Sequence, residues 1–404
     1  MHPFSRQILE EADRCVKCGY CLPVCPTYLK TRNEAESPRG RIALVQGMIE
    51  GALDDTSALE GHLQRCLTCL ACEPACPSGV RYRFIIDGAR TLHTRRRPVL
   101  LRFLERSARD LITHPLPLRT GARLLRLYRK SGLKALVGGL LPAPLRRAEG
   151  LLPPDLTAPR WRRHYPATAP RGRVDLFTGC IGRLTDRAAL QATITMLNRL
   201  GYSVDIPPGQ GCCGAIHRHA GDPDRADRLA ARNGRALDRA GAMAVIGVAS
   251  ACCAELQTHL PDGGRVMDII TFLDRIAWPE AIRFRPLPRT VAIHEPCSQR
   301  LLIGHDPTAP YRLLRRIPQI DLRPVSDNDL CCGAAGTYML SQPAMADALL
   351  GDKLDALRRI APHCLLTSNT GCALHLGAGL RAAGLQMEVL HPVELLARQL
   401  STDP

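Results

Sequence analysis

The sequence predicts an α+β multidomain protein: a helical cysteine-rich module, a basic helical connector, and two repeated α/β domains. Three observations carry this. The run Cys15-x2-Cys18-x2-Cys21-x3-Cys25-Pro26 recurs as Cys66-x2-Cys69-x2-Cys72-x3-Cys76-Pro77. Between Thr94 and Arg173, 19 lysines and arginines meet four acids, Glu105, Asp110, Glu149 and Asp155. From Val174 onward, apolar strand-like runs, helical runs and cysteines occur twice at a nearly fixed offset. The predicted divisions are 1–93, 94–172, 173–286 and 287–404.

In the first division, each cysteine run has the spacing that holds a [4Fe-4S] cluster in bacterial ferredoxins. Three thiolates of a run reach one cluster, and the cysteine before the proline ligates the other. Cys15, Cys18, Cys21 and Cys76 are therefore assigned to one cluster, and Cys66, Cys69, Cys72 and Cys25 to the second. Zinc knuckles or disulfides are the competing reading, but zinc is satisfied by two CxxC pairs and has no use for the third cysteine and trailing proline. The 40 residues from Pro26 to Arg65 read as helix. Ser37-Pro38 opens an apolar-periodic run, Ile42, Leu44, Val45, Met48 and Ile49, closed by Gly51. A second run, Leu59, Leu63 and Cys66, leads into the second motif. A helical ferredoxin is expected rather than the β-hairpin kind.

In the connector, Leu100, Leu101, Leu104 and Leu111, then Leu124, Leu125 and Leu127, lie at helical spacing among arginines, and prolines break the stretch into short helices. It holds almost the whole net charge of +16. Such a stretch is a surface for anionic lipid headgroups or an acidic partner, or a solvated helical face. Aromatic residues make up 4% of the chain, too few for base stacking, so nucleic acid is not an expected partner. The N-terminal residues lack the apolar core of a signal peptide, and 18 cysteines are too dilute for a secreted disulfide scaffold. A reducing, cytoplasmic location is expected, with peripheral contact to the inner face of the membrane if the connector binds lipid. The longest uninterrupted apolar candidate, Ala135 to Leu141, is too short to span a bilayer.

In the last two divisions, Cys180, Cys212-Cys213-Gly214 and Cys252 are followed 117, 119 and 120 residues later by Cys297, Cys331-Cys332-Gly333 and Cys372. Strand runs end at the first and last cysteines, with helical runs such as Ala188–Leu200 and Met345–Arg358 between them. That alternation is βαβ, which sets ligands at the carboxyl ends of parallel strands. Adjacent cysteines make poor disulfides but can both touch one polynuclear cluster. Four cysteines per repeat suffice for a cluster or for structural zinc. A further cluster is expected on Cys297, Cys331, Cys332 and Cys372, and a cluster or zinc on Cys180, Cys212, Cys213 and Cys252. His294 and Glu295 are expected to orient the loop at Cys297, and His375 to be a hydrogen-bonded helix residue.

The segments CVKCGYCLPVCPTY (15–28), SPRGRI (37–42), RCLTCLACEPACPSGVRY (65–82), DLCCGAAGTY (329–338), NTGCALHL and HPVELL together resemble the glycolate oxidase iron–sulfur subunit family. That family is related to heterodisulfide reductase and lactate-utilisation subunits. The resemblance spans nearly the whole chain. It implies an electron relay between an FAD-binding 2-hydroxy-acid dehydrogenase subunit and the quinone pool, with no catalytic residue of its own. The equivalent subunit for D-lactate is an alternative. A thiol–disulfide reductase is another, but heterodisulfide-reductase-like motifs close with CxxC, and here Glu255 and His375 stand at the closing positions. Cys253 and Cys364 are off-register.

Overall fold

The computed structural model describes residues 3–54, 56–132, 138–156, 159–238, 241–304 and 306–401. The N-terminal module is helical, as its spacing predicts. Helix α1 (Pro3–Ala12) and α2 (Pro26–Thr31) flank the first cysteine run, and α3 (Pro38–Glu50) and α4 (Ser57–Gln64) fill the spacer. The Ser37 hydroxyl caps α3 by accepting from Gly40 N, and Gly51 ends it in the left-handed region at φ 78°. Helix α5 (Tyr82–Arg96) follows the second run and packs on α1 and α3 through Ile8, Val45, Ile85 and Ile86.

Inside this module a buried ion pair explains the SPRGRI segment. Arg41 and Glu36 are 1% and 2% exposed and meet at 2.6 Å. Arg41 also donates to the Thr27 hydroxyl, just past the first run, and to His62 O, just before the second. Glu36 further accepts from Arg65 at 2.6 Å. The two cysteine runs are thus fastened to one pair of charges. Removing either partner strands the other at a cost of about 3–5 kcal/mol.

The connector forms α6 (Val99–Thr113), α7 (Pro115–Lys130) and α8 (Ala143–Leu151), each started at or next to a proline. Of the apolar run 135–141, residues 135–137 lie outside the described residues. Ion pairs tie the connector to both repeats: Arg106 to Asp222, Arg225 to Asp110, and Arg147 to Asp347. Three of its own cations are paired. Arg97 binds Glu60 and Glu105, Arg126 meets Asp155, and Arg129 binds Glu149.

The two repeats carry the same sheet. The first has strands β1 (His164–Tyr165), β2 (Gly172–Phe177), β3 (Tyr202–Asp205), β4 (Val245–Gly247) and β5 (Val266–Asp268), ordered β1-β3-β2-β4-β5. The second has β6 (Thr290–Ile293), β7 (Asp321–Pro324), β8 (Cys364–Leu366) and β9 (Glu388–Leu390), ordered β7-β6-β8-β9. Among these strands every pairing is parallel except β1 with β3. Between the strands run α9 (Arg187–Arg199), α10 (Pro223–Leu237), α11 (Ser250–His259) and α12 (Ile269–Arg275). Their counterparts are α13 (Ala309–Leu314), α14 (Pro343–Ile360), α15 (Thr370–Ala382) and α16 (Pro392–Gln399).

The repeats exchange their closing helices. α16 packs on α9 of the first repeat, and α12 packs on α13 of the second. One apolar core, including Leu190, Leu197, Leu273, Leu313 and Leu396, therefore runs through both. The exchange turns the carboxyl ends of the two sheets toward a common space.

Candidate metal centres

In the N-terminal module, Lys17 and Thr68 stand two residues after the first cysteine of each run. Both take left-handed φ, 55° and 50°. That conformation is uncommon for such residues, and its recurrence curls both loops in the same way. Cys15, Cys18, Cys21 and Cys76 line one small cavity, whose wall also includes Cys72. The other group gathers separately. Cys72 has Cys69, Cys66 and Cys25 close enough for their charges to raise its thiol pKa, beyond the larger effect of burial. Cys21 in turn has Cys15 and Cys25 near it, so the two runs lie against one another and Cys25 stands within reach of both. Burial also raises Cys69 and Cys21. Thiols held neutral this way become thiolates when a metal supplies positive charge. All 18 cysteines are free.

In the repeats, Cys180 and Cys252 follow β2 and β4, and Cys297 and Cys372 follow β6 and β8. These are the central strands, where the helix connections diverge to opposite sides and such sheets bind ligands. The paired cysteines enter from the loop before α10 or α14. Gly214 and Gly333 make that entry at φ 107° and 89°. A Cβ on Gly333 would come within 2.7 Å of Ala346 O, and one on Gly214 within 3.1 Å of Ala226 O. Only glycine lets the loop lie so close to the helix. Both cysteine sets line one cavity of about 480 Å³. Its wall includes Cys66 and Thr68 of the second ferredoxin run. Cys69 is close enough to Cys297 and Cys331 for their charges to interact.

The residues at the closing positions do other work. Glu255 is 2% exposed and accepts from Arg83 at 2.8 Å and Arg218 at 2.6 Å, binding the N-terminal module to the first repeat. His375 shares a 3.2 Å hydrogen bond with Ala346 O, as expected for a helix histidine. Cys253 is buried beneath Gly247, and Cys364 lies within β8, paired to β6 and β9. Among the described residues, neither ring nitrogen of His294 makes a close hydrogen bond, although the Asn328 side chain is near enough to oppose the lowering of its pKa. Burial first, then Lys353 and Arg300, push its pKa down to about 3.

Sequence reasoning missed a pair of residues beneath the two sites. Asn233 on α10 donates to Cys212 O and accepts from Gly211 N, both at 2.8 Å. The position 120 residues on is Lys353, whose ammonium is buried, donates to Asp327 O, and interacts with Cys332 and Cys331. The repeat offset itself would have found this difference, had polar positions been aligned as the cysteines were.

The architecture agrees with comparisons to known proteins. A 4Fe-4S dicluster domain model matches residues 11–80, and a cysteine-rich domain model matches 174–257 and 291–377. The probable glycolate oxidase iron–sulfur subunit of Bacillus subtilis (strain 168) is 32% identical over 412 residues, covering 95% of this chain and 92% of that protein. The chain belongs to the glycolate oxidase iron–sulfur subunit family. The glycolate oxidase iron–sulfur subunit of Escherichia coli (strain K12) is 31% identical over 406 residues, covering 96% and 94%. Lactate utilization protein A of Geobacillus thermodenitrificans is 25% identical over 238 residues, covering 55% of this chain and 98% of that protein. For a member of this family, free cysteines and a cavity lined by the cysteines of both repeats fit an iron–sulfur electron-transfer protein.

Proposed function

We propose that this chain relays electrons from an FAD-binding 2-hydroxy-acid dehydrogenase, with glycolate as the substrate class, toward the quinone pool. The observation that carries the proposal is the continuity of the cysteine sets. Cys15, Cys18, Cys21 and Cys76 would hold one [4Fe-4S] cluster. Cys66, Cys69, Cys72 and Cys25 would hold a second, beside Cys297 and Cys331. Cys297, Cys331, Cys332 and Cys372 would hold a further cluster, and Cys180, Cys212, Cys213 and Cys252 a cluster or zinc. Bound clusters supply one-electron carriage, and the chain's own share is to space and tune them. Thr68 N and the Tyr82 hydroxyl point at Cys66 Sγ at 3.4 and 3.7 Å, and Asn369 Nδ2 at Cys372 Sγ at 3.5 Å. Such hydrogen bonds to sulfur raise a cluster's potential. The purified chain alone is expected to oxidise neither glycolate nor D-lactate with an artificial acceptor, and to support turnover once the flavoprotein is added. Comparing the two substrates in the assembled complex separates the glycolate reading from the lactate one. Turnover by the chain alone would overturn the relay.

The connector would set this relay on an anionic membrane. Leu100, Phe103, Leu104 and Leu111 on α6, and Leu116, Leu124 and Leu127 on α7, are all more than half exposed and recur at helical spacing. Arg95, Arg96, Arg123 and Lys130 are exposed nearby. An apolar stripe bordered by cations is the pattern of helices that lie in a bilayer interface. No described helix is long and apolar enough to cross a membrane. Each cation near anionic lipid contributes about 1 kcal/mol, and salt shortens its reach from about 10 Å at 0.1 M to about 3 Å at 1 M. Sedimentation with phosphatidylglycerol vesicles is expected, weakened by salt and by Leu104→Glu with Leu124→Glu. Binding to the flavoprotein but to no vesicle would assign the surface to that partner instead.

A further inference from the structure

We propose that His294 is a nitrogen ligand of the second repeat's metal centre, bound to the same centre as Cys332 and Cys372. This rests on the reading that the second repeat holds an iron–sulfur centre. One ring nitrogen of His294 and the sulfurs of Cys332 and Cys372 all lie within 4.8 Å of one another. Donors bound at about 2.0–2.3 Å to one tetrahedral metal sit roughly 3.3–3.8 Å apart. The three side chains therefore need little movement to share an ion.

The histidine is built into its place. Its backbone N–H donates to Leu366 O at 2.9 Å, extending the β6–β8 ladder by one residue. That fixes its Cα at the carboxyl end of the sheet. The side chain is 2% exposed, and among the described residues neither nitrogen makes a close hydrogen bond, the Asn328 amide being the polar group near enough to act on it. An unsatisfied buried polar group costs about 1–3 kcal/mol, and a metal would satisfy one of the two. The adjacent Asn328 amide is committed elsewhere: it donates to Ile293 O at 2.9 Å and Glu295 Oε1 at 3.3 Å, and accepts from Glu295 N at 3.2 Å.

The equivalent position of the first repeat offers no such donor, and His219, whose charge reaches Cys213, shares a 3.3 Å bond with Asp87. The residue three before Cys297 is His294, and the residue three before Cys180 is Phe177, which is buried and offers no lone pair. Asn233 and Lys353 differ in the same sense. The first site is an all-thiolate set above a neutral amide, and the second a mixed set above a buried ammonium. A neutral imidazole among the ligands, with a cation beneath, raises the potential of an iron centre relative to a set of thiolates alone. The second site would then be the electron sink of the pair.

The test uses the full-length chain carrying [15N]histidine, reconstituted anaerobically with iron and sulfide and examined by pulsed EPR during stepwise reduction. The all-cysteine clusters of the N-terminal module contribute no directly bound nitrogen. A histidine nitrogen with the strong coupling of a direct ligand is expected. It should vanish in His294→Phe, which copies the first repeat, while the N-terminal signals persist. His294→Cys should keep the iron and lower the midpoint of the second-site signal. A second-site iron signal without ligand-strength nitrogen coupling, or one whose coupling survives His294→Phe, overturns the ligation and leaves the relay standing. If replacing Cys297, Cys331, Cys332 and Cys372 together with alanine leaves the iron content unchanged, the second site holds no iron, and the relay reading of that site falls together with the ligation.

Discussion

Cys25→Ser is expected to remove about four irons per chain and to erase the signals of the Cys66–Cys69–Cys72 cluster, leaving the Cys15 cluster in place. Cys25 lies only ten residues from Cys15, so a reading by nearness along the chain would assign it to the first cluster. The fold argues otherwise. Cys25 is the N-cap of α2, where Pro26 turns the chain away from the first loop. Its sulfur is buried, 3.3 Å from the Thr27 hydroxyl, on the side where Arg41 fastens the second run. Cys76→Ser should give the mirror result and damage the Cys15 cluster. Iron and sulfide analysis with EPR on each variant decides the matter, and damage to the Cys15 cluster alone in Cys25→Ser would refute the crossed ligation. Because the second cluster adjoins Cys297 and Cys331, its loss should also cut electron transfer in the assembled complex to background.

The second large effect separates the two repeats. Cys332→Ser should abolish electron transfer to quinone in the complex while the chain stays folded. Cys213→Ser should mainly lower stability. Cys332 has Cys372 Sγ at 3.3 Å, the His294 ring within 4.8 Å and the Lys353 charge beneath it. It also lies on the repeat nearer to Cys69. Cys213 sits in an apolar cluster with Phe177, Val245 and Leu256, where a closed four-thiolate site would act mainly as a structural clamp. Quinone reduction rates and thermal unfolding of both variants give the comparison. Wild-type electron transfer by Cys332→Ser would remove the second repeat from the relay.

Much of this was legible in the chain because cysteine spacing and helix punctuation are local signals. Ser37, Pro38 and Gly51 bracket α3 as they do in the sequence, and the expected helices 188–200 and 345–358 lie within a few residues of α9 and α14. The strands preceding Cys180, Cys252, Cys297 and Cys372 were also readable, since each is a short apolar run a few residues before a cysteine. The exchange of α12 and α16 was not, because which helix covers which sheet depends on contacts between one repeat and the other that no local pattern reports. Nor was the engagement of Arg97, Arg126 and Arg129, whose acidic partners lie on other turns and segments. The nearness of His294 to Cys332 and Cys372 was not legible, because its neighbours in sequence, Glu295 and Cys297, say nothing of the sulfurs that α15 and the Cys331-Cys332 loop bring beside it.

The central claim is that electrons reach this chain only from a flavoprotein. The most direct measurement is anaerobic freeze-quench EPR of the oxidised full-length chain mixed with glycolate, with and without the matching flavoprotein. Reduced cluster signals should form only when the flavoprotein is present, and the second-site signal should form within the same turnover as those of the N-terminal module. Reduction by glycolate with no flavoprotein, or clusters that stay oxidised while the flavoprotein turns over, would contradict the account.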